Sequence, residues 1–337
     1  MKALLVILAV VVGLLVSLEV GLRLLGFGRP LLYIADQEIG YLLAPNQTTR
    51  RFGNRIAVNE YSMRSSQTTT QRPASTLRVL LLGDSVANGA WWTDQDETIS
   101  ALLSSQLEHL LKDLSGASST SQGTLENVEV LNASANSWGP RNELAYLKRF
   151  GTFEVNALVL LINTDDLFST IPTSVPVGRD RNYPNRKPLL GIIEAISRLL
   201  PYQPPSEMTE VNAEPGDRVG FNLEAIQQIK LLADAAEAKF LLAMTPLLRE
   251  IGEPGSRDYE LKARRRLAQF SQEQQISYLD FLPIFQISET PENLYRDHIH
   301  LSTTGNQTVS EEIGRSLQAL FLAVESPTTV NETMPNQ

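Results

Sequence analysis

The sequence predicts an α/β fold in which a parallel sheet is covered by helices on both faces. Three observations lead there. Apolar runs of strand length recur at Leu77–Leu82, Val128–Asn132, Ala157–Ile162, Phe240–Met244 and Ile276–Leu279. Helical apolar periodicity fills the intervals, at Thr98–Leu114, Asn142–Phe150, Leu223–Lys239, Arg257–Gln272 and Ser302–Ala323. The composition, 42% hydrophobic and 20% charged, is that of a globular chain and excludes collagen-like, coiled-coil or wholly disordered architecture. Strand–helix alternation of this kind closes parallel strands under crossover helices.

The elements follow in order. Ala3–Leu18 is a run of 16 uncharged, mostly apolar residues, longer than a usual signal h-region and just short of the ~20 that span a bilayer comfortably. Glu19 alone separates it from Val20, Gly21 and Leu22, and no small-x-small cleavage site follows cleanly before Arg23. Residues 1–29 therefore read as an uncleaved N-terminal membrane anchor, in preference to a cleaved signal or a buried core helix. Lys2 and the α-amine favour an N-terminus inside, against Arg23 and Arg29, so the body is expected outside the cytoplasm, periplasmic or at the cell surface if bacterial. Residues 30–76 form a short N-terminal extension with candidate strands at Tyr41–Leu43 and Arg55–Asn59, closed by a polar linker from Ser65 to Ser75. The main domain runs over 77–325. Its rhythm breaks between 167 and 221, where prolines stand at 172, 176, 184, 188, 201, 204, 205 and 215; an insertion of that length in a compact domain is usually a lid or binding loop. The polar tail 326–337 is expected to be disordered.

Charge and composition narrow the function classes. The chain has 29 basic and 38 acidic residues, a formal charge of −9, and no dense basic run, which argues against a nucleic-acid partner. Arg264, Arg265 and Arg266 fall in a helical pattern and read as a solvated face. The absence of cysteine excludes disulfides, thiolate catalysis and Cys-ligated metals. Asp165 and Asp166 are adjacent carboxylates without further ligands, a poor metal site that reads as a capping cluster. No metal or other cofactor is expected.

In a parallel sheet the ligand sits beyond the carboxyl ends of the strands, so the strand-to-loop transitions carry the chemistry. The first is Leu82-Gly83-Asp84-Ser85-Val86-Ala87-Asn88-Gly89. A serine straight after a buried strand, beside glycines that permit a tight turn, is placed as an exposed nucleophile, or simply caps the next helix. The last is Asp297-His298-Ile299-His300, which holds two of the chain's three histidines. Asp297 and His300, three apart on a loop, can bond to each other while the far imidazole nitrogen faces a serine, as a base and its orienter must. His109 falls within a helix pattern and reads as structural or solvated. Trp91, Trp92 and Trp138 lie near the site loops, to stack on a sugar, pack an acyl chain or fill the core.

Gly83-Asp84-Ser85 and Asp297-x-x-His300 resemble the first and last signature blocks of the GDSL/SGNH hydrolases, over Leu77 to about Ala323. The segment 30–76 is similar to the N-terminal region of membrane-anchored members. The resemblance implies a flavodoxin-like three-layer αβα sandwich and acyl-ester chemistry with Ser85 as nucleophile, His300 as base and Asp297 as its orienter. The absence of a Gly-x-Ser-x-Gly elbow disfavours the α/β-hydrolase fold. Two middle blocks depart from the family pattern. Ser137, in Asn132-Ala133-Ser134-Ala135-Asn136-Ser137, stands where the family has the glycine whose N–H enters the oxyanion hole, with Gly139 the nearest glycine. Asp165, in Ile162-Asn163-Thr164-Asp165-Asp166, stands where the family has an asparagine donor. Asn163 is the expected replacement donor; Thr164, or an Asp165 held protonated or turned away, are the alternatives.

The expected function is therefore a membrane-tethered serine esterase or acylhydrolase acting on an acyl-ester substrate, glycan or lipid. Two other readings stand beside it: an O-acyltransferase for an exported polysaccharide, and a non-catalytic module of the same fold, which the altered Ser137 and Asp165 positions would favour.

Overall fold

The computed structural model describes residues 1–117 and 125–322; the tail 326–337 lies outside them. The N-terminal apolar run forms α1 (Lys2–Leu24). Two short antiparallel pairs follow, β1 (Tyr33–Asp36) with β2 (Gly40–Leu43) and β3 (Gln47–Arg51) with β4 (Asn54–Val58). The main domain alternates β5 (Thr76–Gly83), α2 (Ser85–Asn88), α3 (Ile99–Ala117), β6 (Asn127–Ser134), α4 (Pro140–Phe150) and β7 (Ala157–Asn163). The insertion carries α5 (Gly191–Leu199) and α6 (Met208–Asn212). Then come α7 (Arg218–Ala235), β8 (Lys239–Thr245), α8 (Leu248–Ile251), α9 (Asp258–Glu273), β9 (Ser277–Asp280), α10 (Phe281–Gln286) and α11 (Thr303–Leu322).

The five main strands form one parallel sheet in the order β6-β5-β7-β8-β9. Every residue of β5 and β7 is buried because both faces are covered. Alternate side chains sort into two cores. Leu80, Leu82, Leu158, Leu160 and Ile162 pack with Leu147 of α4, Ile226 of α7 and Leu267 of α9. Val79, Leu81, Val159 and Leu161 pack with Leu103 of α3, Phe281 of α10 and Val309 and Ile313 of α11. This is a three-layer αβα sandwich. The chain leaves β5 for β6 on one side and returns to β7 on the other, so the loops after β5 and β7 diverge. The opening between them, at the carboxyl ends of the strands, is where such a sheet receives a ligand.

The N-terminal hairpins lie on the first core: Tyr33, Tyr41, Leu43, Ile56 and Met63 belong to the same apolar cluster as Leu80 and Leu82. Arg64 extends this union with a buried guanidinium that donates to the carbonyls of Ala90 (2.7 Å) and Thr93 (2.6 Å). Burial draws its pKa down to about 10.

Two of the differences from the sequence expectation have a clear local cause. Helix α7 begins at Arg218, because Asp217 accepts from the Gly220 N–H as its cap, and ends before Glu237, whose positive φ of 55° turns the chain into β8. Arg264 does not sit on a solvated face. It is buried, donates to Thr164 Oγ1 at 2.9 Å and pairs with Asp280, because its position on α9 points toward the sheet ends; Arg265 is exposed and Arg266 pairs with Asp217.

Replacing Arg64 by methionine keeps the volume but strips the buried carbonyls of Ala90 and Thr93 of their donor. A loss of about 3 kcal/mol in unfolding free energy is expected from such unsatisfied groups, read as a lowered urea midpoint. A midpoint equal to wild type contradicts the bracing role.

Candidate active site

The first strand-to-helix turn is set by Asp84. Its carboxylate caps α2 by accepting the Val86 N–H at 2.8 Å, which fixes Ser85 as the first helical residue. Gly83 permits the approach: a Cβ there would meet the Leu161 carbonyl oxygen at 2.6 Å and Ala87 Cβ at 2.7 Å. The Ser85 hydroxyl lies 3.0 Å from His300 Nε2 and 3.1 Å from Asp84 Oδ2.

The second turn is organised by Asp297. Its Oδ1 accepts the N–H groups of Ile299 (3.0 Å) and His300 (2.9 Å), which folds the loop so that His300 Nδ1 reaches Oδ2 at 2.8 Å. Burial alone would raise the Asp297 carboxyl. The hydrogen bonds from the His300 and Ile299 backbone and from the imidazole outweigh it and hold the group below its usual range. His298 points into solvent, with Nδ1 3.8 Å from Asp297. The indole of Trp92 packs against the His300 ring at a 60° tilt, with centroids 4.5 Å apart. Trp138, by contrast, is core, its Nε1 donating to the Tyr41 carbonyl at 3.0 Å. His109 is exposed on α3.

The strand β6 turn places Ser137 at φ +57°, the left-handed region that a glycine would occupy without strain. Its Oγ accepts the Tyr183 hydroxyl at 2.8 Å. Tyr183 comes from the insertion and packs edge-on against Tyr41, with centroids 5.1 Å apart. A cavity of about 390 Å³ opens beside Ser137, walled by Tyr41, Phe168, Ile171, Tyr183 and Tyr202.

After β7, Asn163 and Asp166 form a reciprocal cap. Asn163 Oδ1 accepts the Asp165 N–H at 2.8 Å, and Asp166 Oδ2 accepts the Asn163 N–H at 2.8 Å. The Asn163 amide nitrogen also donates to Asp84 Oδ2 and to Asp166 Oδ2, each at 2.9 Å. Both of its hydrogens are therefore on carboxylates. The Thr164 hydroxyl is engaged with Glu250 at 2.5 Å and with Arg264. Asp165 is exposed; desolvation and the nearby Glu260 raise its carboxyl, against the pull of Arg249.

Three carboxyl groups thus lie buried behind Ser85: Asp84, Asp166 and Glu143 of α4. Desolvation raises all three. Asp166 and Glu143 are raised well above the carboxylate range, with the Asp84 charge adding to the effect on each. Glu143 has no hydrogen-bond partner on either oxygen among the described residues. No group of three His, Asp or Glu side chains among those residues is arranged to hold a metal ion.

Chemically, the hydroxyl–imidazole–carboxylate line can transfer a proton off Ser85 and hold the resulting imidazolium. Sequence reasoning placed Trp92 near the site loops without its contact on His300, and did not single out the Asp84 cap or Tyr183. The Asp84 cap was open to recognition from its place before Ser85 and Val86; no local signal marks Tyr183.

The model of the GDSL-like lipase/acylhydrolase family matches residues 81–308. No curated protein sequence matches the chain. Among solved structures it is similar to a putative lipolytic protein of the G-D-S-L family from Desulfitobacterium hafniense DCB-2, at 16% identity and a TM-score of 0.40, covering 71% of this chain and 99% of that one. It is also similar to an acetyl xylan esterase, at 13% identity and a TM-score of 0.45, covering 71% and 99%. A lipase/acylhydrolase from Enterococcus faecalis aligns at 12% identity and a TM-score of 0.42, covering 72% and 96%.

The Glu143 environment has a pH signature. Its folded pKa lies above its unfolded value near 4.5, so the stability linked to its protonated form is complete below that value and declines as pH rises toward the folded pKa. Glu143→Gln removes this dependence. The variant's Tm relative to wild type is expected to increase as pH rises above 4.5; a pH-independent difference contradicts a protonated, buried Glu143.

Proposed function

The chain belongs to the GDSL-like lipase/acylhydrolase family, and from that premise we propose that this hydrolase cleaves an acyl ester through Ser85, His300 and Asp297. The observation that carries the reading is the unbroken line at the carboxyl end of the sheet: Ser85 Oγ to His300 Nε2 at 3.0 Å, and His300 Nδ1 to Asp297 Oδ2 at 2.8 Å. Ser85 Oγ attacks the ester carbonyl while its proton passes to His300 Nε2. Asp297 accepts the Nδ1 hydrogen throughout and stabilises the imidazolium. The tetrahedral oxyanion is met by the backbone N–H of Ser137, at the left-handed turn after β6. On collapse, His300 returns the proton to the leaving alkoxide. A water then repeats the sequence on the acyl-serine, freeing the acid and restoring the hydroxyl.

Asn163 has a different part in this reading from the one its position after β7 suggests. With one amide hydrogen on Asp84 and the other on Asp166, it acts as a positioning residue for the Asp84 cap that holds Ser85. It would reach an oxyanion only by releasing one of those carboxylates. Asp165, exposed beside Arg249 and His298, stands outside the reacting group.

The reading also tethers the enzyme. Helix α1 is long and apolar enough to cross a membrane, and none of its membrane-length window is buried. The reading takes the end bearing Lys2 and the α-amine as the cytoplasmic one, against the pull of Arg23 and Arg29, which puts the catalytic domain outside the cytoplasm.

Fluorophosphonate labelling tests the nucleophile. Ser85→Ala should abolish labelling, and Ser85→Ala or His300→Ala should lower kcat on any turned-over ester by about 10⁴-fold or more, as for members of one catalytic unit. His298→Ala should leave the rate close to wild type, and a dead His298→Ala beside an active His300→Ala overturns the choice of base. Unlabelled, folded wild-type protein would instead support a non-catalytic module, and acyl transfer to an oligosaccharide faster than hydrolysis would support the acyltransferase.

Asp165→Asn should change kcat little. A faster Asp165→Asn enzyme would put that carboxylate in the oxyanion hole and overturn its exclusion. For the tether, full-length protein should sediment with membranes and resist carbonate extraction; intact protein found wholly in the soluble fraction rules the anchor out.

A further inference from the structure

Helix α5 in the insertion is amphipathic in the reverse sense for a soluble protein. Its buried side carries charge: Glu194 pairs with Arg51 at 2.7 Å and with Arg198 at 3.3 Å, and accepts the Gly28 N–H at 2.7 Å. Its outer side is apolar. Ile193 and Ile196 are half exposed, and Leu199 is 85% exposed; Leu189, Leu190 and Leu200 extend the same patch. A contiguous exposed patch of this kind marks a contact surface.

The occupant follows from where the helix is fixed. The Glu19 carboxylate of α1 caps α5, accepting the N–H groups of Gly191 (2.8 Å) and Ile192 (3.0 Å), and Arg23 donates to the Leu189 carbonyl at 2.7 Å. Gly191 allows the two backbones to approach, since a Cβ there would lie 3.3 Å from Phe27 Cβ and 3.4 Å from Leu22 Cβ. Below Glu19, Ala3–Leu18 supplies about 24 Å of uncharged helix at 1.5 Å per residue, most of a hydrocarbon core. Helix α5 therefore starts at the level where α1 leaves the apolar layer. The exposed cations Arg186 and Lys187 precede it, as suits an anionic headgroup surface.

We propose that α5 is an interfacial membrane helix, its Ile193–Ile196–Leu199 face seated at the headgroup–acyl boundary of the bilayer that α1 enters. This rests on the reading of α1 as an anchor. The catalytic domain is then held to the membrane at two points, the second within the insertion that also contacts Ser137.

The chain has no cysteine, so single labels are clean. Full-length Ile196→Cys, Leu199→Cys, Val11→Cys and His109→Cys proteins, each carrying an environment-sensitive fluorophore, are reconstituted into phosphatidylcholine–phosphatidylglycerol vesicles. These contain lipids with a nitroxide either near the headgroup or near the chain end. The expected result is loss of fluorescence at Ile196 and Leu199 with the shallow quencher, at Val11 with the deep quencher, and at His109 with neither. Quenching at Val11 without quenching at Ile196 and Leu199 overturns the interfacial helix and leaves the anchor standing. If the α5 labels are then shielded only as protein density rises, a second copy covers the face instead. No quenching at Val11 overturns the anchor reading and this inference with it.

Discussion

The carboxylate of Asp84 is the group on which the site depends. It is buried at the end of β5, and a carboxylate there must be supplied with donors. Each donor it finds fixes something else. The Val86 N–H starts α2 and so places Ser85, and the Asn163 amide ties β7 to β5. The same amide lies between Asp84 and Asp166, giving two carboxyl groups a shared donor where they would otherwise face each other unscreened. Removing a donor from such a set exposes a buried charge, so the set is more demanding than any one of its bonds.

A second line of contacts runs from the N-terminal helix to the same place. Glu19 caps the start of α5, and Arg181 donates to the carbonyls of Ser197 (2.9 Å) and Leu200 (2.7 Å) at its end. Two residues on, Tyr183 packs against Tyr33 and Tyr41 and donates to Ser137. The insertion is thus neither a loose excursion nor a separate domain. It is a strap between the N-terminal helix and the turn after β6, and the N-terminal hairpins provide the aromatic bed on which it lies.

Much of the sheet was legible because its central strands are buried on both faces. The expected runs at Leu77–Leu82, Ala157–Ile162 and Phe240–Met244 each fall within an observed strand, and the covering helices follow from their periodicity. Arg264 was misleading for the same physical reason that periodicity succeeds elsewhere. A charged residue scores as solvent-facing, yet its guanidinium is buried because Thr164 and Asp280 meet it there. Ser137 shows the converse: its side chain gives no hint of a left-handed backbone, and only its place in the family pattern suggested one.

What the sequence determined by itself is what short spans of backbone enforce. Asp297 and His300 are three residues apart, and the turn made by Asp297 with the Ile299 and His300 N–H groups brings imidazole and carboxylate together within one loop. The Gly-Asp-Ser turn and the Asn163–Asp166 cap are local in the same way. Tertiary structure decided what joins distant elements: the meeting of Ser85 with His300 across 215 positions, the Tyr183 contact on Ser137, and the direction of the Asn163 amide. A backbone turn is limited by the sterics of its own few residues. An amide's orientation is set by whichever charges other strands bring beside it, and those are known only once the sheet has assembled.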